Sequence, residues 1–347
     1  MNKNILALAV AAAAAFSGAV SAAQVYSDDA STLNIGGRIE ARGNGVVGHD
    51  NFNDDSRVRV NIAGQTQIND DLYGLGFFER EFKSDKSDDE NRYIYAGIGS
   101  KTYGQLVYGK TDGSLGMITD FTDIMEYFGN EAGGKINAAD RPDDSLAYLG
   151  QFGGLTVRAN YVFDADGTDF SKTNPNFTSS DDSGFSVGSV YNFNNGLAFG
   201  LGYGEQKQQE QNTMGNALTA KQGFASVSYT SGDFYVAGLY QNARNIGYQY
   251  GYNDTKHSNE YQGYELATAY TINKLVLRST YNYMENMDSN AKMANALAFD
   301  GSYFFTPNFR TYAGYKVNLL DKNDVAKMDE VKQAADDQFV LGARYDF

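Results

Sequence analysis

The residues in this chain with the clearest chemical potential are a glycine–lysine run, an acidic run and two histidines. Gly104-Gln105-Leu106-Val107-Tyr108-Gly109-Lys110-Thr111 matches the pattern G-x-x-x-x-G-K-[ST], which cradles nucleotide phosphates. That chemistry requires a helix directly after the lysine, because the helix N-terminus supplies the N–H groups that meet the phosphate. Here the residues between the two glycines read as a strand and a glycine-containing loop follows. Lys110 is therefore read as a cation that lines a cavity or anchors a loop. Asp164-Ala165-Asp166-Gly167-Thr168-Asp169 is half of a calcium loop and lacks the distal glutamate, which leaves a solvated acidic segment. His49 and His257 are the only histidines, and neither has a serine and an aspartate arranged around it as acyl-transfer chemistry requires. Cysteine is absent, which excludes disulfides and thiolate metal sites. No catalytic residue, metal site or cofactor is expected.

The charged residues that remain are spaced by two. Arg57-Val58-Arg59-Val60-Asn61-Ile62 alternates charged or polar with branched apolar residues. In Leu155 to Phe163, Leu155, Val157, Ala159, Tyr161 and Phe163 share one face and Arg158 lies on the other. Arg278, Thr280 and Asn282 oppose Leu275, Leu277, Tyr281 and Tyr283, and Arg310, Tyr312, Lys316 and Asn318 oppose Phe309, Ala313, Tyr315, Val317 and Leu319. Period two is the mark of a strand with unlike faces. The composition agrees: 26 Tyr, 22 Phe and 38 Gly but only 3 Pro suit a large antiparallel sheet. The net charge of −15 argues against nucleic acid, which is gripped by clustered Lys and Arg.

Alternation alone does not say which face is wet; the connections do. Short ones fall near Asn69–Asp71, Gly99–Thr102, Asn194–Gly196, Thr230–Asp233 and Thr306–Asn308. Eight long polar ones fall near Asn44–Asp55, Lys83–Asn91, Thr111–Arg141, Asp164–Ser183, Glu205–Ala220, Ala243–Tyr261, Glu285–Lys292 and Asp321–Asp337. Short turns on one rim and long loops on the other are the pattern of a barrel in a bacterial outer membrane, whose charged face lines a wet lumen and whose apolar face meets lipid. Eight hairpins predict a 16-stranded antiparallel transmembrane β-barrel with both termini periplasmic. A mean hydropathy of −0.47 does not conflict, since alternating strands average near neutral. Lys3, the apolar stretch Ile5 to Phe16 and Val20-Ser21-Ala22 read as a signal peptide over residues 1–22, cleaved to leave one barrel domain over 23–347 with a charge of −16. Phe339 to Phe347 alternates to a terminal aromatic, so Phe347 is expected to be an assembly signal read by the barrel-assembly machinery.

Several stretches resemble the general bacterial outer-membrane porins. Gly64-Gln65-Thr66-Gln67-Ile68-Asn69-Asp70, Asn91-Arg92-Tyr93-Ile94-Tyr95-Ala96-Gly97-Ile98 and Thr119-Asp120-Phe121-Thr122-Asp123-Ile124-Met125 match two strand motifs and an inward-folding third loop. GSLGMITDFTDIMEYFGN, Asn308-Phe309-Arg310 and the final RYDF are similar to the OmpU-type porins of vibrio-like bacteria. The resemblance implies a homotrimer, one water-filled pore per subunit, and passive diffusion of small hydrophilic solutes and ions, with a substrate-specific channel as the alternative. It also implies a third loop, about 111–141, that narrows the lumen, with Ser84–Asn91 reaching a neighbouring subunit. By motif, Arg38, Arg59 and Arg92 match wall arginines of the constriction; Arg57, Lys110 and Arg141 join them by position. Asp123 and Glu131 match acidic loop positions, with Asp120 and Glu126 nearby. Two departures stand out: Glu126-Tyr127-Phe128-Gly129-Asn130 replaces Pro-Glu-Phe-Gly-Gly, and Leu149 stands where a further wall arginine is expected. The acidic balance suggests a mild cation preference. The surroundings would be outer-membrane lipid and lipopolysaccharide.

Overall fold

Period-two alternation becomes strand along nearly the whole chain. The computed structural model describes residues 22–50, 52–84, 89–163, 183–211, 217–246, 260–321 and 335–347. Its strands are β1 (Ala23–Ser27), β2 (Ser31–Val46), β3 (Phe52–Asp54), β4 (Arg57–Gln67), β5 (Leu72–Lys83), β6 (Glu90–Ser100), β7 (Gly104–Lys110), β8 (Ser145–Phe152) and β9 (Leu155–Val162). They continue as β10 (Gly184–Asn192), β11 (Leu197–Gln211), β12 (Ala217–Ser231), β13 (Phe234–Arg244), β14 (Glu260–Ile272), β15 (Leu275–Asn286), β16 (Ala291–Thr306), β17 (Phe309–Asn318) and β18 (Gln338–Asp346). β1 is a short ribbon beside β2, and β3 is a short addition within the first loop. The other sixteen strands form the closed antiparallel barrel that the sequence predicts.

Closure joins β18 to β2, with Ala343 opposite Ala41 and Tyr345 opposite Ile39. The pairing continues to the last residue. The Gly37 N–H donates to the Phe347 carbonyl at 2.9 Å, and the Phe347 N–H donates back to Gly37 at 3.0 Å. A closed ring leaves no edge of bare N–H and C=O groups, which a hydrocarbon medium would penalise heavily.

The two faces divide as the alternation requires. On β15, Thr280 and Asn282 are buried and point inward, while Leu277 and Tyr281 stand exposed on the outer wall. On β18, Val340 is 1% exposed and the next residue, Leu341, is 53% exposed. Outward aromatics cluster toward both strand ends. Tyr191, Phe234, Tyr270 and Tyr345 lie near the short turns; Tyr108, Tyr161, Tyr203 and Tyr264 lie toward the long loops. Such belts suit the two lipid–water interfaces.

Two short turns escape the sequence reading: Gly153–Gly154 and Asn273–Lys274. Both are two-residue hairpins, with φ of 61° at Gly153 and 56° at Asn273, the left-handed conformation that matches strand twist. The predicted loop Glu205–Ala220 is mostly strand: β11 and β12 stay paired through Glu205↔Lys221 and Lys207↔Thr219. Glu285–Lys292 likewise contracts, since β15 ends at Asn286 and β16 starts at Ala291. At the end of β11, Glu205 to Gln211 is polar on both faces, so it lacks the alternation that marks a lipid-crossing segment although the backbone ladder continues. The predicted signal peptide, apart from Ala22, lies outside the described residues. So do the acidic Asp164–Asp169 run and His257.

Among the described residues, the largest departure from the barrel wall is the connection 111–144 between β7 and β8. It turns into the lumen and carries a single-turn helix α1 (Gly116–Thr119) and a 3₁₀ turn (Asn137–Ala139). β7 runs directly into this loop, so no long helix follows Lys110 and the phosphate-cradle reading has no support.

Candidate pore constriction

The inward loop has an apolar underside. Leu115, Ile118, Phe121 and Ile136 pack against Val190 on β10, Ala198 on β11, Phe224 on β12 and Leu239 on β13. Near its tip, Phe128, with Met125 and Tyr127, packs against Ala298 on β16, Tyr312 on β17 and Val340 on β18. The wall accommodates the loop by being small beneath it. A Cβ on Gly188 would stand 2.6 Å from the Ser114 carbonyl oxygen, and one on Gly202 would stand 2.6 Å from Leu115.

Polar wall side chains then satisfy the loop backbone. The Ile136 N–H donates to Gln222 at 2.9 Å, and the Gln222 amide donates to the Gly134 carbonyl at 2.6 Å. The Ala138 N–H donates to Gln206 at 3.1 Å, Asn160 donates to the Ala138 carbonyl at 2.8 Å, and Tyr235 donates to the Phe121 carbonyl at 2.7 Å. Glu265, only 3% exposed, accepts from the Ala132 N–H at 3.0 Å and from the Thr122 hydroxyl. Buried backbone groups need such partners, so these side chains fix where the loop lies. Gln206, Gln222, Asn160 and Glu265 were not among the predicted site residues. Their signal in the sequence is weak: each is an inward polar residue whose partner lies on a remote irregular segment.

With the loop on the β10–β18 side, the opposite wall stays open to the lumen. There Arg38 on β2, Arg57 and Arg59 on β4, and Arg92 on β6 converge. Arg38 faces Arg59 in register, and Glu40 faces Arg57. The arginines interleave with three glutamates. Arg57 meets Glu40 at 2.6 Å, Arg59 meets Glu81 at 2.5 Å and Glu79 at 3.6 Å, and Arg92 meets Glu79 at 2.8 Å. Arg38 stands 3.9 Å from both Glu40 and Glu81. Four guanidinium groups against three carboxylates leave the patch basic, but its field is much reduced by its own wall. Glu40, Glu79 and Glu81 were missed in the sequence, although Arg38-x-Glu40 and Glu79-x-Glu81 each place two charges on one strand face.

The predicted loop acids separate into two groups. Asp120 and Asp123 are exposed on the lumenal side of the loop. Enclosure by the barrel raises both carboxyls above the ordinary carboxylate range; Asp123 adds to the rise at Asp120, and Glu131 adds to the rise at Asp123, against the lowering pull of Lys135. Glu126 and Glu131 instead tie the loop down. Glu126 meets Arg310 at 2.8 Å, Arg278 at 3.4 Å and Arg344 at 3.9 Å, and accepts from the Ser302 hydroxyl at 3.1 Å. Glu131 accepts from the Gly129 N–H at 3.1 Å and lies 3.7 Å from Lys316. Among the described residues, no ion pair joins Arg38, Arg57, Arg59 or Arg92 to a loop carboxylate.

The two remaining predicted cations sit at the ends of the loop. Lys110 meets Asp143 at 3.1 Å, and Arg141 meets Asp140 at 3.6 Å and Glu90 at 3.8 Å. Leu149 pairs across the sheet with Gln105 and Arg158, away from the partners of Arg141. Arg158 meets Asp112 at 3.1 Å, and Tyr93 donates to the same carboxylate at 2.6 Å, which fixes the root of the loop. His49 lies 3.4 Å from Asp336 at the long-loop rim.

The closed barrel is matched in known proteins. The chain matches the Gram-negative porin family over residues 8–324. It is 50% identical to Porin-like protein L of Photobacterium profundum and 40% identical to Outer membrane protein U of Vibrio parahaemolyticus, in each case over the whole of both chains. Among solved structures, OmpF of Salmonella typhi superposes with a TM-score of 0.79 at 22% identity, covering 94% of this chain and all of that one. OmpT of Vibrio cholerae, solved in a trimer form, superposes with a TM-score of 0.70 at 20% identity, covering 92% of this chain and all of the other. The chain belongs to the Gram-negative porin family and is an outer-membrane porin.

Proposed function

We propose that this porin is a general diffusion channel that passes small hydrophilic solutes and ions without energy input and mildly prefers cations. The observation that carries the reading is the placement of the inward loop. It covers the β10–β18 side and leaves a corridor between Asp120 and Asp123 on one side and the partly neutralised arginine wall on the other. Four wall arginines alone would favour anions. Interleaving them with Glu40, Glu79 and Glu81 cancels most of that bias and lets the unpaired loop acids set the sign. Nothing in this chemistry transforms a solute.

The channel works as a homotrimer, as the trimer form of a structural neighbour supports. Outer-membrane lipid and lipopolysaccharide surround it, and the terminal strand ending in Phe347 is what the assembly machinery engages. Purified protein in a planar bilayer under a potassium chloride gradient tests the reading. Ohmic conductance in three equal steps with a reversal potential of cationic sign is expected. A reversal potential of anionic sign removes the selectivity assignment, and absence of conductance removes the channel.

A further inference from the structure

On β5 and β6, the lumen wall between the arginine cluster and the short-turn rim carries apolar and aromatic residues, which a wet pore does not require. Tyr73, Leu75 and Phe77 on β5 share the face of Glu79 and so point inward, and they are only partly buried. Across the sheet Phe77 pairs with Tyr95, with ring centroids 5.5 Å apart, and Tyr93 lies 5.8 Å from the same ring. The ring of Tyr73 occupies the space beside Gly99, where a Cβ would come within 2.2 Å of it. Leu149 on β8 lies on the same inward face and is partly exposed. The apolar residues on β10–β18 are covered by the inward loop, whereas none of these belongs to that packing.

The chemistry of the patch selects its occupant. Aromatic side chains offer flat apolar faces, and tyrosines add a hydroxyl at the rim. Three amides, Gln65, Gln105 and Gln151, lie on the same inward face nearer the short-turn rim, with Gln65 and Gln151 exposed. Full charges lie at its margins and are ion-paired: Glu79 with Arg92, and Arg158, across the sheet from Leu149, with Asp112. A few uncharged polar groups around an apolar, aromatic floor suit a neutral ring with one apolar face and a rim of hydroxyls. We propose that this wall is a weak binding site for pyranose sugars, which stack on Phe77, Tyr95 and Tyr73 as they cross the lumen. The inference rests on the channel reading above and adds a specificity that the charged constriction does not supply.

The test is ion current through the whole protein in planar bilayers while maltotriose is titrated, with sorbitol as a ring-free polyol control. Maltotriose is expected to reduce the current to a plateau, and sorbitol only in proportion to concentration. Phe77→Ala and Tyr95→Ala should raise the half-blocking concentration about fivefold each, and Phe77→Tyr should restore it. Phe77→Leu keeps bulk where the alanine variant does not assemble. A maltotriose response as linear as that of sorbitol, in protein that conducts ions normally, overturns the sugar site and leaves the porin reading intact. So does a plateau that neither variant shifts, or a block given by a planar aromatic cation and not by the trisaccharide. Loss of all ion conductance in the unaltered protein would instead remove the channel reading itself.

Discussion

Arg310 on β17 and Glu126 on the inward loop lie 184 positions apart in the chain and meet at 2.8 Å. Arg278 and Arg344 approach the same carboxylate, which is 7% exposed, so one glutamate joins the loop to three strands. This acid belongs to the loop's attachment; it is not a free charge in the corridor.

Glu126→Gln therefore acts first on the loop. Removing the charge leaves three guanidinium groups with Asp300 and Asp346 as their remaining acids. Loss of a charge-assisted network of this kind costs about 1–3 kcal/mol. The variant should denature at lower guanidinium concentration and show noisier open-channel current at moderate voltage, with little change in ion preference. A large change in the reversal potential with a quiet current would place Glu126 in the corridor instead.

Arg59→Ala tests the wall. Arg59 holds Glu81 at 2.5 Å and Glu79 at 3.6 Å, so its loss leaves both acids less compensated. The cation-over-anion permeability ratio should rise, by roughly twofold for one charge beside a narrow aqueous gap. The reversal potential in a salt gradient reads this directly, and a shift toward anions would contradict the proposed neutralisation of the wall.

The raised carboxyls of Asp120 and Asp123 give the selectivity a pH dependence whose sign is fixed. A raised pKa means that protons bind at higher pH than at an ordinary aspartate, whose value is about 3.9. The loop face therefore loses negative charge as pH falls from neutral. Cation preference should decline as pH falls through about 7, the value to which Asp120 is raised, and Asp120→Asn with Asp123→Asn should flatten that decline. Selectivity that stays constant to pH 5 in the unaltered protein would show that these two residues do not set it.

Much of this architecture is legible in the amino-acid order because a barrel wall is built from local rules. Val58, Val60 and Ile62 alternate with Arg57, Arg59 and Asn61, and this gives both strand and face without any partner. Phe347 marks the closing strand for the same reason. Register is not local. That Arg38 faces Arg59 and Glu40 faces Arg57 depends on how far β2 slides along β4, so the neutralisation of the wall is visible only once the pairing is known. The inward loop is least legible. Gln222 and Glu265 bind backbone groups of residues some 86 and 133 positions away, contacts that no spacing along a strand encodes. The end of β11, Glu205 to Gln211, looks like loop in the sequence because alternation reports lipid, and above the bilayer a strand has no lipid to report.

The glycines beneath the loop give the strongest mechanical test of the corridor. Gly188 lies on the inward face of β10, where a Cβ would stand 2.6 Å from the Ser114 carbonyl oxygen. A backbone atom cannot rotate away as a side chain can, so Gly188→Val must push the start of the loop off the wall. Ser114 would lose the hydrogen bond that its N–H donates to Ser186 at 2.8 Å, and Leu115 and Ile118 would lose packing. The barrel ladder does not depend on this contact, because β10 keeps its pairings with β9 and β11 through backbone groups. Far-ultraviolet circular dichroism should therefore stay β-rich. Single-channel conductance should change along with the size cut-off for sugars in liposome swelling, since the proposed reading has the loop and not the barrel set the narrowest section. Unchanged conductance in a folded Gly188→Val protein would mean that the constriction lies elsewhere along the lumen.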